Sequence, residues 1–202
     1  MNMEVTRYRN FILRNYNDLP QLDALLPEER EAIGVVGQVL PFKSNNYVVE
    51  QLIDWNNVPN DPIYTLTFPR REMLSEDNYR EVKRLLDQND DEALKKKVYD
   101  IRMQLNPNPA GQAHNVPTID DIKLHGMQHK YRETVLFFPS QGQTCHAYCT
   151  FCFRWPQFSG MNELKFAMKE ADLLHRYLRE HPKVTDVLFT GGDPLTAKTN
   201  IM

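Results

Sequence analysis

Long apolar runs are missing from these 202 residues: the densest stretches, such as Val135-Leu136-Phe137-Phe138, stop after four. A membrane-spanning helix takes about 20, so no integral membrane protein of that kind is encoded. The opening Met1-Asn2-Met3-Glu4-Val5-Thr6-Arg7-Tyr8 has no apolar core behind a basic end, and the expectation is a cytoplasmic protein without a secretory leader. An excess of one charge is missing too. The 24 Lys and Arg nearly balance the 27 Asp and Glu, for a net charge of −3, and no long basic run offers the clustered cations that neutralise phosphates. That argues against a nucleic-acid surface. Cysteine is scarce, with three in the chain; an odd number cannot pair off internally, and cytosolic thiols stay reduced, so a disulfide scaffold is excluded. No internal repeat is visible.

What is present, 41% hydrophobic and 25% charged residues, suits one globular chain or two small units. The first hundred residues read as polar helices. Pro27 followed by Glu28, Glu29 and Glu31 places a proline and negative charge in a first helical turn, where the missing N–H costs nothing and the helix dipole favours anions. That helix is expected to run to about Gly34 or Gly37. Ser75 caps a second, with Tyr79, Val82, Leu85 and Leu86 at helical spacing. Asp90 or Asp91 caps a third, with Leu94, Val98, Ile101 and Leu105 on one face and Lys95-Lys96-Lys97 on its solvated side. Residues 106–118 hold Pro107, Pro109 and Pro117, which remove backbone donors and bias their predecessors to extended geometry; a connector over 106–130 is expected.

After the connector the pattern changes to strand, helix, strand. Thr134 to Phe138 is rich in β-branched and aromatic residues and ends at Pro139. Asn162 is the expected cap of a helix whose Leu164, Ala167, Met168, Ala171, Leu174 and Leu178 form one stripe, stopped by Pro182. Val184 to Phe189 is the second strand. Two strands joined by a helix read as a βαβ unit with parallel strands, whose functional loops lie at the strands' C-terminal ends. Those loops hold all three cysteines and Thr190-Gly191-Gly192-Asp193-Pro194-Leu195.

Cys145, Cys149 and Cys152 give the spacing C-x3-C-x2-C. Thiolates hold iron–sulfur clusters, and a four-iron cube normally takes four. Three ligands leave one iron open to chelate a small molecule, by the logic through which catalytic metals keep a vacant position. Two other readings stand beside this one. Residues i, i+4 and i+7 lie on one face of a helix, so the cysteines could be small core residues; against that, Ser140-Gln141-Gly142-Gln143 is a loop composition. A zinc site with His146 as fourth ligand is the other, although its adjacency to Cys145 makes convergence on one ion awkward. Gly191-Gly192-Asp193 directly after a strand supplies backbone a ligand can approach closely, with a carboxylate beside it.

The cysteine spacing resembles that of the radical S-adenosylmethionine (SAM) superfamily. Within it, the chain is similar to the lysine 2,3-aminomutase branch in several stretches: Leu26 to Ile33 with Asn46-Tyr47-Val48 and Leu52-Ile53-Asp54; Val58-Pro59-Asn60-Asp61-Pro62-Ile63; His129 to Phe137; and Leu188 to Asp193. The resemblance implies a [4Fe-4S] cluster on Cys145, Cys149 and Cys152 whose open iron binds SAM. It implies Phe151 beside the adenine, Gly191, Gly192 and Asp193 on the methionine amino group, and Arg154 paired with a substrate carboxylate. It also implies an isomerase that moves an amino group of an amino-acid-like substrate with pyridoxal phosphate (PLP), fed by an electron donor such as flavodoxin or ferredoxin. A homo-oligomer is compatible with this reading.

The sequence departs from the family pattern in places. Lys130 and Thr134 stand where the family has arginines that help hold PLP and substrate, and the stretch from Val135 to Cys145 is longer. The family's barrel continues for several more strands, and the lysine that binds PLP lies in that later part, with no equivalent in this chain. The expected fold is therefore α/β: an N-terminal helical region (1–105), a connector (106–130), and from 131 the first βαβ unit of a partial (β/α) radical SAM barrel, truncated and with an exposed strand edge. The alternative from another class is a non-catalytic zinc-binding or protein-interaction module.

Overall fold

The computed structural model describes residues 8–108 and 113–197. Pro109 of the connector and the closing Asn200-Ile201-Met202 lie outside them. The chain divides into two compact units, Met1–Leu105 with His146–Cys152, and Asn106–Cys145 with Phe153–Met202.

The first unit is mostly helical. Strands β1 (Asn10–Ile12) and β2 (Lys43–Asn45) form an antiparallel pair. Helix α1 (Pro27–Val39) starts where the proline and acidic turn predict, and Glu29 Oε2 accepts the Leu26 N–H at 2.9 Å, satisfying one of the donors a helix start leaves unpaired. It runs past both expected stops because Gly34 and Gly37 are packing positions inside it. A Cβ at Gly34 would stand 2.9 Å from Tyr16 Oη, and one at Gly37 2.6 Å from Leu13 Cδ1. The short α2 (Pro62–Thr67) is capped by the buried Asp61, whose Oδ1 accepts the Tyr64 N–H at 2.7 Å. That gives the Val58–Ile63 motif a structural role.

Helices α3 (Glu76–Asp87) and α4 (Asp91–Gln104) follow Ser75 and Asp90 as capping residues, each accepting the backbone N–H of the residue three places on. The side chains at helical spacing, Val36 and Val39 of α1, Val82 of α3 and Ile101 of α4, are fully enclosed together; each such side chain contributes about 1.5–3 kcal/mol through lost apolar hydration. Leu105, expected on the same face, is instead exposed because α4 ends at Gln104. Glu31 of α1 meets Lys83 and Tyr79 of α3. The Lys83 hydrogen bond holds its carboxyl below the usual carboxylate range, while burial raises the Tyr79 hydroxyl to about 12. A second core gathers Phe42, Tyr64 and Phe68, with the Tyr64 and Phe68 rings stacked at 4.9 Å and Trp55 edge-on to both.

The second unit is built on a three-stranded sheet in the order β5 (Met127–Tyr131), β6 (Thr134–Phe137), β7 (Asp186–Phe189). Strand β6 (Thr134–Phe137) lies parallel to β7 (Asp186–Phe189), in register from Thr134 opposite Asp186 to Phe137 opposite Phe189. Helix α5 (Ala171–Glu180) lies between them in sequence. This is the parallel strand–helix–strand arrangement the pattern predicts; no closed barrel is seen among the described residues. Three elements depart from expectation. The stretch read as connector holds a small hairpin, β3 (Thr118–Ile119) with β4 (Ile122–Lys123), and most of β5 (Met127–Tyr131), which pairs antiparallel with β6. Asn162 does not cap the helix; it opens a single turn over Asn162–Leu164. The helix waits until Ala171 because Met168 is held in extended geometry beside the end of β6, its N–H donating to Phe138 O and its O accepting from Ser140 N, each at 2.9 Å. Leu174 and Tyr177 of α5 close the core over Val135 and Phe137. No helix among the described residues is long and apolar enough to cross a membrane.

Candidate functional site

The C-terminal ends of β6 and β7 are tied to each other by the residues that follow them. Gln143 Nε2 donates to Pro139 O at 2.7 Å and to Thr190 O at 3.3 Å, spanning both strand ends. The Asp193 N–H donates to Thr144 O at 2.8 Å. Gly191 has a φ of +118°, a conformation in which a side chain is strained. A Cβ there would meet the Gln143 amide, with Oε1 at 2.2 Å, and one on Gly192 would fall 2.2 Å from Thr144 O and 2.6 Å from Gly142 O. Both glycines are thus required by the close approach of residues 142–144, the stretch that leads directly into Cys145. Asp193 shapes the next turn, Pro194–Thr196, by accepting the Leu195 N–H on Oδ1 at 2.9 Å.

Beside these strand ends lies a cavity of about 580 Å³, walled by Phe137, Pro139, Met168, Leu174 and Phe189 and rimmed by Ser140, Lys169 and His175. Its volume falls in the range of small-molecule pockets, and its mostly apolar wall with a few polar groups is their usual composition. Arg154 is half-buried, with its guanidinium 4.3 Å from the centre of the Phe138 ring and 4.9 Å from that of Phe153. Both distances are within cation–π range. Tyr177 of α5 packs its hydroxyl 2.6 Å from His129 Nδ1, and burial raises its pKa.

Residues 146–152 belong with the helical unit and form no helix, which removes the reading of the cysteines as one face of a helix. The segment is held by main-chain bonds. Tyr148 N–H donates to Lys43 O at 2.8 Å and Thr150 N–H to Leu66 O at 2.8 Å. The Thr150 hydroxyl donates to Thr65 O at 2.9 Å, and the Asn45 amide donates to His146 O at 3.0 Å. Ala147 packs on the Phe42–Phe68 core. Cys149 is exposed, Cys145 and Cys152 are half-buried, and Phe151 stands 78% exposed. The donor chemistry, three thiols within eight residues of irregular chain reachable from solvent, fits an iron–sulfur cube. Among the described residues, however, no group of three His, Cys, Asp or Glu side chains is drawn together tightly enough to hold a metal ion, and His146 turns its ring to Tyr8 at 5.6 Å. The structure thus places Gly191, Gly192 and Asp193 against residues 142–144. Sequence reasoning missed Gln143, Asn45 and Thr150, which shape these segments.

Comparison with known proteins follows the same line. No family model matches the chain. It is 31% identical over 182 residues to a protein of Aquifex aeolicus described provisionally as an L-lysine 2,3-aminomutase, an alignment covering 90% of this chain and 38% of that one. It is 26% identical over 190 residues to the L-lysine 2,3-aminomutase of Bacillus subtilis, covering 94% and 33%. A shorter match, 37% identical over 70 residues, covers 35% of this chain and 20% of the Haemophilus influenzae L-lysine 2,3-aminomutase. The chain therefore spans well under half the length of the curated relatives it matches. Over most of its own length the chain is thus similar to L-lysine 2,3-aminomutases.

Proposed function

We propose that this chain carries the cluster loop and part of the SAM site of a radical SAM enzyme of aminomutase type. The observation that carries the reading is the pairing of two loops at adjacent ends of parallel strands. Residues 142–144, which lead into the cysteines, are bonded to the loop after β7: Thr144 O accepts the Asp193 N–H, and the Gln143 amide donates to Thr190 O. The alignments along most of the chain support it. Cys145, Cys149 and Cys152 would hold a [4Fe-4S] cube and leave one iron without a thiolate. When bound, such a cube supplies the single electron that cleaves SAM to a 5′-deoxyadenosyl radical able to abstract hydrogen. The chain's own contribution is placement. Gly191 and Gly192, which let the loop after β7 lie against residues 142–144, would together with the Asp193 carboxylate take a ligand's amino group, the exposed Phe151 would offer a ring face to an adenine, and Arg154 would offer a fork for a substrate carboxylate.

Anaerobic reconstitution with iron and sulfide tests the proposal. The expected result is about four irons per chain with a broad thiolate-to-iron absorption, lost when any one of Cys145, Cys149 or Cys152 is changed to serine, together with SAM-dependent release of 5′-deoxyadenosine. Iron uptake that survives all three substitutions overturns it. Tight zinc without sulfide does so as well, and supports the zinc-binding module instead.

A further inference from the structure

We infer that Asn45 and Thr150 are positioning residues that clamp the backbone on both sides of Cys149, giving the cysteine loop its shape before any metal arrives. The inference rests on the cysteines being ligands, and its geometry lies wholly within the helical unit. The last carbonyls of a helix have no intrahelical partner. At the end of α2, two of them, Thr65 O and Leu66 O, are taken by one residue of the loop: Thr150 donates its hydroxyl to the first at 2.9 Å and its N–H to the second at 2.8 Å.

On the other side of Cys149, β2 supplies the anchor. Lys43 O accepts the Tyr148 N–H at 2.8 Å, and the Asn45 amide, 3% exposed, uses both ends. Its Nδ2 donates to His146 O at 3.0 Å, and its Oδ1 accepts the Val48 N–H at 3.0 Å. Using both ends fixes which way the amide points, since its donor and acceptor cannot be exchanged without losing both bonds. The exposed thiol of Cys149 therefore sits on a pinned main chain. A cluster binding there would not have to order that stretch and would be spared its backbone entropy cost.

The test uses the 202-residue chain in metal-free and reconstituted forms, with amide hydrogen exchange and the rate of iron release to a chelator as readouts. In the metal-free wild type, the Tyr148 and Thr150 amides are expected to be protected. Thr150→Val, which keeps the shape and removes the hydroxyl, should raise their exchange about fivefold, the effect of one lost hydrogen bond, and speed iron release by a similar factor. Thr150→Ser should restore both. Asn45→Asp, which loses the donor and keeps the acceptor, should act in the same direction, with exchange in α3 unchanged in every variant. Unprotected Tyr148 and Thr150 amides in the wild type overturn the inference, as does wild-type exchange in Thr150→Val. A wild-type chain that takes up no cluster overturns the proposed function, while its exchange pattern still decides whether the clamp exists.

Discussion

The two units solve the same problem, covering apolar side chains, with different completeness. In the helical unit, α1, α3 and α4 each turn their stripe onto the other two, and Val36, Val82 and Ile101 are sealed. In the sheet unit, β6 has a neighbour on either side, whereas β7 is one of the two edges of the described sheet, with Leu188 and Phe189 each 54% exposed. An edge strand with unpaired backbone groups and apolar side chains is a template for pairing with other chains. The contrast teaches where stability and where stickiness reside: the first in the α1, α3 and α4 core, the second along β7.

The sharpest way to break that contrast is Ile101→Ala. Truncating a sealed side chain leaves a cavity and should cost about 2–5 kcal/mol, read from urea unfolding followed by helical circular dichroism. Gly192→Ala comes next. Its new methyl would press on Thr144 O and Gly142 O, so either the 142–144 stretch or the turn after β7 must shift, at about 1–3 kcal/mol; faster exchange of the Asp193 amide would locate the damage. Leu188→Lys should change stability least, within about 0.5 kcal/mol, yet reduce self-association in size-exclusion runs at rising concentration. If Leu188→Lys destabilised the chain as much as Ile101→Ala, β7 would be a covered strand and the comparison would fail.

How far each unit was readable from sequence follows from how local its determinants are. Pro27, Ser75 and Asp90 announce α1, α3 and α4 because a cap acts within one turn, and the parallel pairing of β6 and β7 follows from two apolar strands with a helix between them. The late start of α5 was not readable: Leu164, Ala167 and Met168 have helical spacing, but the Met168 backbone is claimed by Phe138 and Ser140, far away in sequence. Strand β5 was hidden because it ends in polar His129 and Lys130 and in Tyr131, the last two exposed. At the candidate site, the cysteine spacing and the glycine pair are visible as motifs. The groups that hold them in place are not, since Asn45 reaches across 101 residues to His146 and Thr150 across 85 to Thr65.

The flush contact of Gly192 with Gly142 and Thr144 makes the distance along the chain from β6 to the first thiol a ruler. A residue inserted between Pro139 and Thr144 would slide Thr144 O away from the Asp193 N–H and pull Gln143 off one of its two strand ends. The sheet would survive such an insertion, since its pairing stops at Phe137 and Phe189, while Cys145 would be displaced. Length in this stretch is thus set by the same contacts that require glycine at position 192.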